Sequence, residues 1–428
     1  MKEKTKLIIL IISLIILFFT FNYFSIINLD VIWNYGFSLN FSKGLTMYSD
    51  YNMVTTPLYP IVIGTFMKIF GNSMIVFYLI NAILATTIVL LVRKLNKKII
   101  IPFILVILLT SEPNYDLLST IFLFLLILLE KDKKSDYLIG LILGISFLTK
   151  SSIGVALSLP TLCYIKNFRI ILKRIVGFII PNIIIIILFL IKGNLYDYLN
   201  YAFFGLFDFA SGNSSFNILS IITLLIVAYF IFQYRKSKNI ENLYIASWQI
   251  VMFPLFNVSH FIESLIPVFY HFLSKFNQYT KYYKYSIALF LIPFIFLIYN
   301  VKDSECNYTD KPFNIRYIQK EYIDDINSLK NFFEDDFNNV YFIMHESYLY
   351  NIMLNRDIDL YSLSLKGNLG YNGEDKFILK INELEKGSII VTSSIYQGGQ
   401  SSEKIYNYIT KNYSLRGQFR KFSVYIVD

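Results

Sequence analysis

The chain alternates long apolar runs with short polar breaks. Residues 7 to 27 form an apolar stretch that follows Lys2, Lys4 and Lys6. At 1.5 Å rise per residue such a run crosses a bilayer core of roughly 30 Å as one helix. It ends in Phe-Asn-Tyr-Phe-Ser-Ile-Ile, without the small-x-small cleavage site of a signal peptide, so it is expected to stay as the first transmembrane helix. Further apolar segments lie near 73–92, 99–111, 114–129, 136–149, 151–165, 175–192, 216–234, 241–258, 261–274 and 285–300, which makes eleven with the first. Several fall below the roughly 17 residues of a lone span; these either cross, re-enter or share a half-buried hairpin.

After about residue 301 the pattern changes. Ile315, Ile318, Tyr322, Ile326, Leu329 and Phe333 recur at three and four residues and predict an amphipathic helix. Strand NVYFIM (339–344), helical SYLYNIML, strand DIDLYSL, a helix around 374–385, strand SIIVTS (388–393) and a helix around 402–411 follow. This alternation predicts a small α/β domain with a mostly parallel sheet. The expected organisation is a membrane domain over 1–300, with a long first loop at 28–72, and an α/β domain over 301–428.

Basic residues orient the membrane part. Lys2, Lys4 and Lys6, then Arg93, Lys94, Lys97 and Lys98, then Lys131, Lys133 and Lys134 fall in every second loop, as do Lys166, Arg169, Lys173 and Arg174, then Arg235, Lys236 and Lys238, then Lys275, Lys281 and Lys284. The other loops hold little beyond Lys43, Lys68, Lys150 and Lys192. The positive-inside rule then puts the N-terminus in the cytoplasm and, with an odd number of spans, the C-terminal domain outside. Composition agrees with a polytopic membrane protein: 55% apolar, 18% aromatic and 16% charged residues exclude an ordinary soluble globule. The net charge of +9 needs no nucleic acid, because the basic excess sits at the rim facing anionic lipid. Cys163 and Cys306 belong to opposite sides in this topology, so no disulfide is expected, and no Cys/His spacing suits a metal. A Lys/Ile/Asn/Tyr-rich composition suggests the codon bias of an AT-rich bacterial genome, which would make the membrane a bacterial plasma membrane.

The first loop is where chemistry enters. Asp30 comes just after the first span, beside Trp33 and Tyr35. One reading makes it the N-cap of a short helix over Val31 to Phe41, with the aromatics at the interface. KGLTMYSDYN then forms a turn carrying a second carboxylate, Asp50, and TTPLYPIVIGTFMKIFG reads as a helix along the membrane surface, with Pro57 at its start.

An acidic residue after the first span, Gly44-x-x-x-Tyr48-x-Asp50, Thr56 to Pro60 (TPLYP) and Lys68 to Gly71 (KIFG) resemble the first extracytoplasmic loop of GT-C superfamily glycosyltransferases, in particular bacterial relatives of the protein O-mannosyltransferases and aminoarabinose transferases. SEPNYD (111–116) occupies the place of that family's second outer acidic motif, and GLILGISFLTKSSIG (140–154) is similar to its glycine-and-lysine segment. PLFNVSHFIESLIP (254–267) resembles a late segment in which Leu255 and Asn257 stand where some members have Arg and Asp. The resemblance extends to the α/β tail with its LKGNLG (365–370).

It implies an enzyme that passes a sugar, with inversion, from a polyprenyl-phosphate donor to an acceptor at the outer membrane face, either a protein or a cell-envelope glycan. Asp30 matches the base position. The same resemblance and the placement of charges make Asp50, Glu112, Asp116, Lys150, His260 and Glu263 candidates for substrate binding. A divalent metal ion is a candidate cofactor, with Asp30, Glu112 and Asp116 as its candidate ligands. Each residue also has a plainer reading: a solvated turn for Glu112 and Asp116, snorkelling for Lys150, and a His260–Glu263 hydrogen bond inside the bundle. Two other functions remain open, a transporter or flippase of lipid-linked glycans and a non-catalytic scaffold. Inverted repeats and mid-membrane charges would mark the first of these.

Overall fold

The structure is a computed structural model that describes residues 3–53, 55–165, 167–208, 216–252, 257–276, 304–305, 318–362, 364–365, 369–397 and 401–428. The expected segment at 285–300, Cys306 and Leu255 lie outside these residues.

Among the described residues, nine α-helices open the chain: α1 (Glu3–Phe24), α2 (Leu29–Ser42), α3 (Leu58–Phe70), α4 (Met74–Leu95), α5 (Ile100–Thr110), α6 (Tyr115–Lys131), α7 (Asp136–Thr149), α8 (Ser151–Tyr164) and α9 (Phe168–Ile191). Among the described residues, α1, α4, α9 and the helix Ile218–Ser237 are long and apolar enough to cross a membrane. Ile8, Ile9, Ile12 and Ile16 on α1, and Ile183, Ile184, Ile187 and Leu188 on α9, stand exposed. Helices that satisfy their own backbone while exposing such faces are stable in lipid. The chain is an integral membrane protein. The segment 241–258 does not continue as one helix; Ile240–Trp248 passes into a 3₁₀ turn, Gln249–Met252, and a separate short helix, Val258–Ser264, follows.

Close backbone approach holds α7 against α9. A Cβ on Gly140 of α7 would lie 2.1 Å from the Arg174 carbonyl oxygen of α9, so only glycine fits there. Small residues of this kind let membrane helices pack by dispersion, where water supplies no hydrophobic drive. At this end of α7, Arg174 is buried and donates from Nε to Asp136 Oδ1 at 3.0 Å and from Nη1 to Glu130 Oε1 at 2.5 Å. Tyr244 donates to the same Glu130 oxygen at 3.1 Å. The opposite ends of α6 and α7, at Tyr115 and Thr149, point to the other end of the bundle.

The C-terminal segment carries β1 (Ser304–Glu305) paired antiparallel with β2 (Ile318–Gln319), and a four-stranded sheet of β3 (Val340–Phe342), β4 (Ile389–Ser393), β5 (Ser414–Phe419) and β6 (Phe422–Ile426) in the order β3-β4-β6-β5. Helices Lys320–Phe333, Ser347–Met353, Gly373–Asn382 and Glu403–Asn412 connect and cover it. The sheet is mixed, which corrects the mostly parallel expectation: β3 and β4 are parallel, while β6 runs antiparallel to both β4 and β5. The β5–β6 hairpin turns at Arg420, whose φ is +47°, and such a tight turn leaves little compositional signal. Residues 357–362 of DIDLYSL form no strand, because Asp359 closes a turn there by accepting from the Tyr361 amide at 2.9 Å. Ile318, expected in the amphipathic helix, belongs to β2 instead.

The two parts meet along α2. Tyr348 packs so closely on Gly36 that a Cβ would come within 2.6 Å of its ring. Asn40 Nδ2 donates to the Ile358 carbonyl at 3.2 Å, Asn52 Nδ2 to the Leu360 carbonyl at 3.1 Å, and Lys43 pairs with Asp357 at 2.6 Å.

Candidate active site

Three corners of the bundle meet at the end remote from Arg174: α1 into α2, α5 into α6, and α7 into α8. Each of the first two begins its second helix with the pattern Asn-x-Asp. Asn28 caps α2, its Oδ1 accepting from the Val31 amide at 2.9 Å, and its Nδ2 donates to Glu112 Oε2 at 2.6 Å. Asn114 caps α6, its Oδ1 accepting from the Asp116 amide at 2.8 Å, and its Nδ2 donates to Glu263 Oε1 at 3.0 Å. Each asparagine thus satisfies a helix N-terminus with one side-chain atom and fixes a glutamate with the other. The expectation that Asp30 caps α2 is corrected, since Asn28 does so. Among the described residues no hydrogen bond reaches the Asp30 carboxylate, although Asn34 Nδ2 donates to its backbone carbonyl at 2.8 Å.

Lys150 breaks the chain between α7 and α8 with an extended backbone. Its Nζ lies 3.4 Å from Asp116 Oδ1 and 4.7 Å from the Tyr115 ring centroid. With side-chain exposures of 16% and 6%, this pair is set back from bulk solvent and does not snorkel freely. The loop TTPLYP packs beside it, where Thr56 Oγ1 donates to the Phe147 carbonyl at 3.0 Å and Tyr59 donates to Asn81 Oδ1 at 2.9 Å.

The electrostatics link these corners. Crowding by protein raises the Asp30 carboxyl above its ordinary range, Lys150 pulls it back and Asp116 pushes it further up. Asp30 is nonetheless exposed to solvent, which moderates the rise. Glu112 is likewise raised by burial, against the Asn28 hydrogen bond, with Asp30 and Asp116 adding to the rise. Burial and then Lys150 push His260 down to about 4, so its ring is neutral at neutral pH. Asn257 Oδ1 accepts from the His260 amide at 2.9 Å and lies 2.8 Å from its Nδ1, so Nδ1 carries the proton and Nε2 is left as an acceptor. The expected His260–Glu263 hydrogen bond is replaced by His260–Asn257 and Glu263–Asn114.

Of the residues singled out in the sequence, the fold brings Asp30, Glu112, Asp116, Lys150, His260 and Glu263 into one electrostatic neighbourhood. Asp50 is not brought there by any described contact; its Oδ2 accepts from the Thr46 amide at 2.6 Å and closes its own turn. Among the described residues no three His, Cys, Asp or Glu side chains are arranged to hold a metal ion. Asp30, Glu112 and Asp116 do not fit as a shared ligand set, because Glu112 is engaged by Asn28 and Asp116 by Lys150. Sequence reasoning missed Asn28, Asn114 and Tyr115; the repeated Asn-x-Asp was the available signal. A cavity of about 410 Å³ adjoins the acidic corner. Phe21, Ile27, Leu108 and Ile262 form apolar parts of its wall, with Glu112 and Glu263 at its polar side.

No protein-family model and no curated protein matches this chain. Among solved structures, the crystal structure of ArnT from Cupriavidus metallidurans bound to undecaprenyl phosphate matches with a TM-score of 0.57, over 99% of this chain and 98% of that one, at 8% identity. The chain has the GT-C fold. The resemblance read from the first loop therefore holds at the level of fold across both the membrane helices and the C-terminal segment. An 8% identity carries no side-chain correspondence, so the roles of the corner residues rest on their own geometry.

Proposed function

We propose that this protein transfers a sugar, with inversion, from a polyprenyl-phosphate donor to a hydroxyl acceptor, a protein or envelope glycan, at the outer face of a bacterial plasma membrane. The observation that carries this is the convergence of an exposed carboxylate, Asp30, and a partly buried cation, Lys150, where the corners of a GT-C-fold bundle meet. The chemistry needs both. A carboxylate must take the proton of the attacking hydroxyl, and a cation must stabilise the phosphate whose charge grows as it leaves.

In this reading Asp30 is the base, since it has no competing hydrogen bond among the described residues. Lys150 faces the leaving phosphate, and the loose 3.4 Å pairing with Asp116 keeps it in place without tying it tightly. His260 Nε2 accepts from a substrate hydroxyl. The apolar cavity beside Glu112 and Glu263 takes lipid or the apolar face of a substrate; its carboxylates make it a poor seat for phosphate. The orientation follows from the basic residues. Arg93 and Lys94 end α4, and Lys131 ends α6, at helix ends away from the Asp30 corner, which supports a cytoplasmic N-terminus; with the eleven spans expected from the sequence, the segment from residue 301 is then external.

The test is transfer by purified protein from a panel of labelled polyprenyl-phosphate hexoses and pentoses. Activity with a donor, lost by a factor of about 10² to 10⁴ in Asp30→Asn at unchanged yield and donor binding, is the expected outcome. Transfer with none of the donors, or full activity in Asp30→Asn, overturns the proposal.

A further inference from the structure

On α2, residues three or four apart share a face, so Asp30, Trp33, Gly36, Asn40 and Lys43 form one stripe. All but the first of these touch the C-terminal α/β unit. Trp33 stacks on His345 with centroids 5.6 Å apart and planes 18° from parallel. Gly36 meets Tyr348, Asn40 donates to the Ile358 carbonyl, and Lys43 pairs with Asp357. Asp30 heads the stripe, one turn beyond the last contact.

The unit that presents His345 is stiff at this point. The Ile343 amide donates to the Val391 carbonyl at 2.9 Å, which carries the parallel β3–β4 pairing up to the turn. The Met344 amide then donates to Ser347 Oγ at 2.9 Å, and that hydroxyl donates to the Met344 carbonyl at 2.6 Å. His345 lies inside the turn that Met344 and Ser347 close, two residues past the strand pairing. On the other side of the stack, the Trp33 indole Nε1 is buried and has no hydrogen-bond partner among the described residues, so ring stacking rather than a polar contact orients the indole.

We propose that His345 is a positioning residue of the transferase: stacked on Trp33, it lets the C-terminal α/β unit set the orientation of the first turn of α2 and, with it, of the Asp30 carboxylate. The unit is then a working wall of the site rather than an appended module. This rests on the assignment of Asp30 as the base. A carboxylate turned or displaced by about 1 Å loses on the order of 10²-fold in rate, because proton transfer depends on the near-attack geometry. Donor binding at Lys150 does not depend on that angle.

Three variants test this: His345→Ala, His345→Phe and Trp33→Ala. The readouts are kcat and donor KM of the full-length protein, with thermal midpoint in detergent. His345→Ala and Trp33→Ala are expected to lower kcat by on the order of 10- to 100-fold per folded molecule, with donor KM unchanged. His345→Phe keeps a flat ring and is expected to restore most of kcat. A change in KM with kcat intact, an unaffected His345→Ala, or a His345→Phe as damaged as the alanine variant overturns the proposal. The stack can also be read without activity. The chain has two tryptophans, Trp33 and Trp248, so a Trp248→Phe background reports Trp33 alone. His345→Ala is expected to shift that emission to the red, and an unchanged spectrum overturns the proposal. If wild-type protein transfers from no donor, the assignment of Asp30 fails, while the emission still decides whether the stack exists.

Discussion

Lys150→Met removes the cation of the acidic corner and keeps its apolar stem, so it exposes how far one charge serves both folding and turnover. In wild-type protein, Lys150 Nζ faces Asp116 at 3.4 Å, with the Asp116 side chain only 6% exposed, while Asp30, Glu112 and Glu263 lie in the same field. Removing one partner of a buried pair costs about 3–5 kcal/mol, because the remaining charge keeps its desolvation penalty without compensation. The 16% exposure of Lys150 places the expected loss near the low end, about 3 kcal/mol. The sequence taken alone suggests normal yield for this variant; the buried Asp116 leads to the opposite expectation. The second perturbation is Lys150→Met with Asp116→Asn, which removes both charges and leaves a neutral, hydrogen-bonding side chain. Its stability is expected to return most of the way to wild type, whereas turnover stays down by on the order of 10²- to 10³-fold if Lys150 stabilises the leaving phosphate. The assay is transfer at saturating polyprenyl-phosphate donor beside the thermal midpoint in detergent, with Asp116→Asn alone as the control. Recovery of turnover together with stability in the double variant would refute the phosphate role and leave Lys150 as a structural counter-ion. A single variant as stable as wild type would refute the buried-pair argument itself.

The pH dependence follows from the shifts at Asp30 and His260. Asp30 acts ionised and its carboxyl is raised, so kcat/KM is expected to fall as pH drops, with a midpoint above the ordinary carboxylate value; His260, held near 4, contributes no limb near pH 6.5, and a limb there that disappears in His260→Gln would contradict this. Gly140→Ala is expected to lower the thermal midpoint by an overpacking cost of about 1–3 kcal/mol, and Gly140→Val by more, because the new Cβ collides with the Arg174 carbonyl; a tolerated valine would show that α7 and α9 are not packed backbone to backbone. A topology reporter fused after Asp428 is expected to be active outside the cytoplasm and one fused after Lys134 inside, and either reversal would dismantle the placement of the Asp30 corner at the outer face.

The apolar runs alone determined that the chain lives in a membrane, because a run too long and too greasy for a water-soluble helix is a one-dimensional property. The periodicity from Tyr322 to Phe333, and the short β-branched runs at Val340 and Ile389, likewise marked a C-terminal α/β segment, since helices and strands that bury one face repeat at fixed local intervals. The candidate residues of the corner were also legible singly, as charges at the ends of apolar runs. Their grouping was not. Asn28 with Glu112, Asn114 with Glu263, and Lys150 with Asp116 are separated by 84, 149 and 34 residues, and no local rule relates positions so far apart. Only packing could decide that Asn28, rather than Asp30, caps α2 and that Asp50 closes its own turn. Packing likewise decided that β6 inserts antiparallel between β4 and β5, and that Trp33 meets His345 across 312 residues of chain. Local pattern sets which face of an element is apolar, but the partner of that face is chosen by shape, as at Gly36 and Gly140, and by the need to pair each buried charge, which depends on the whole fold at once.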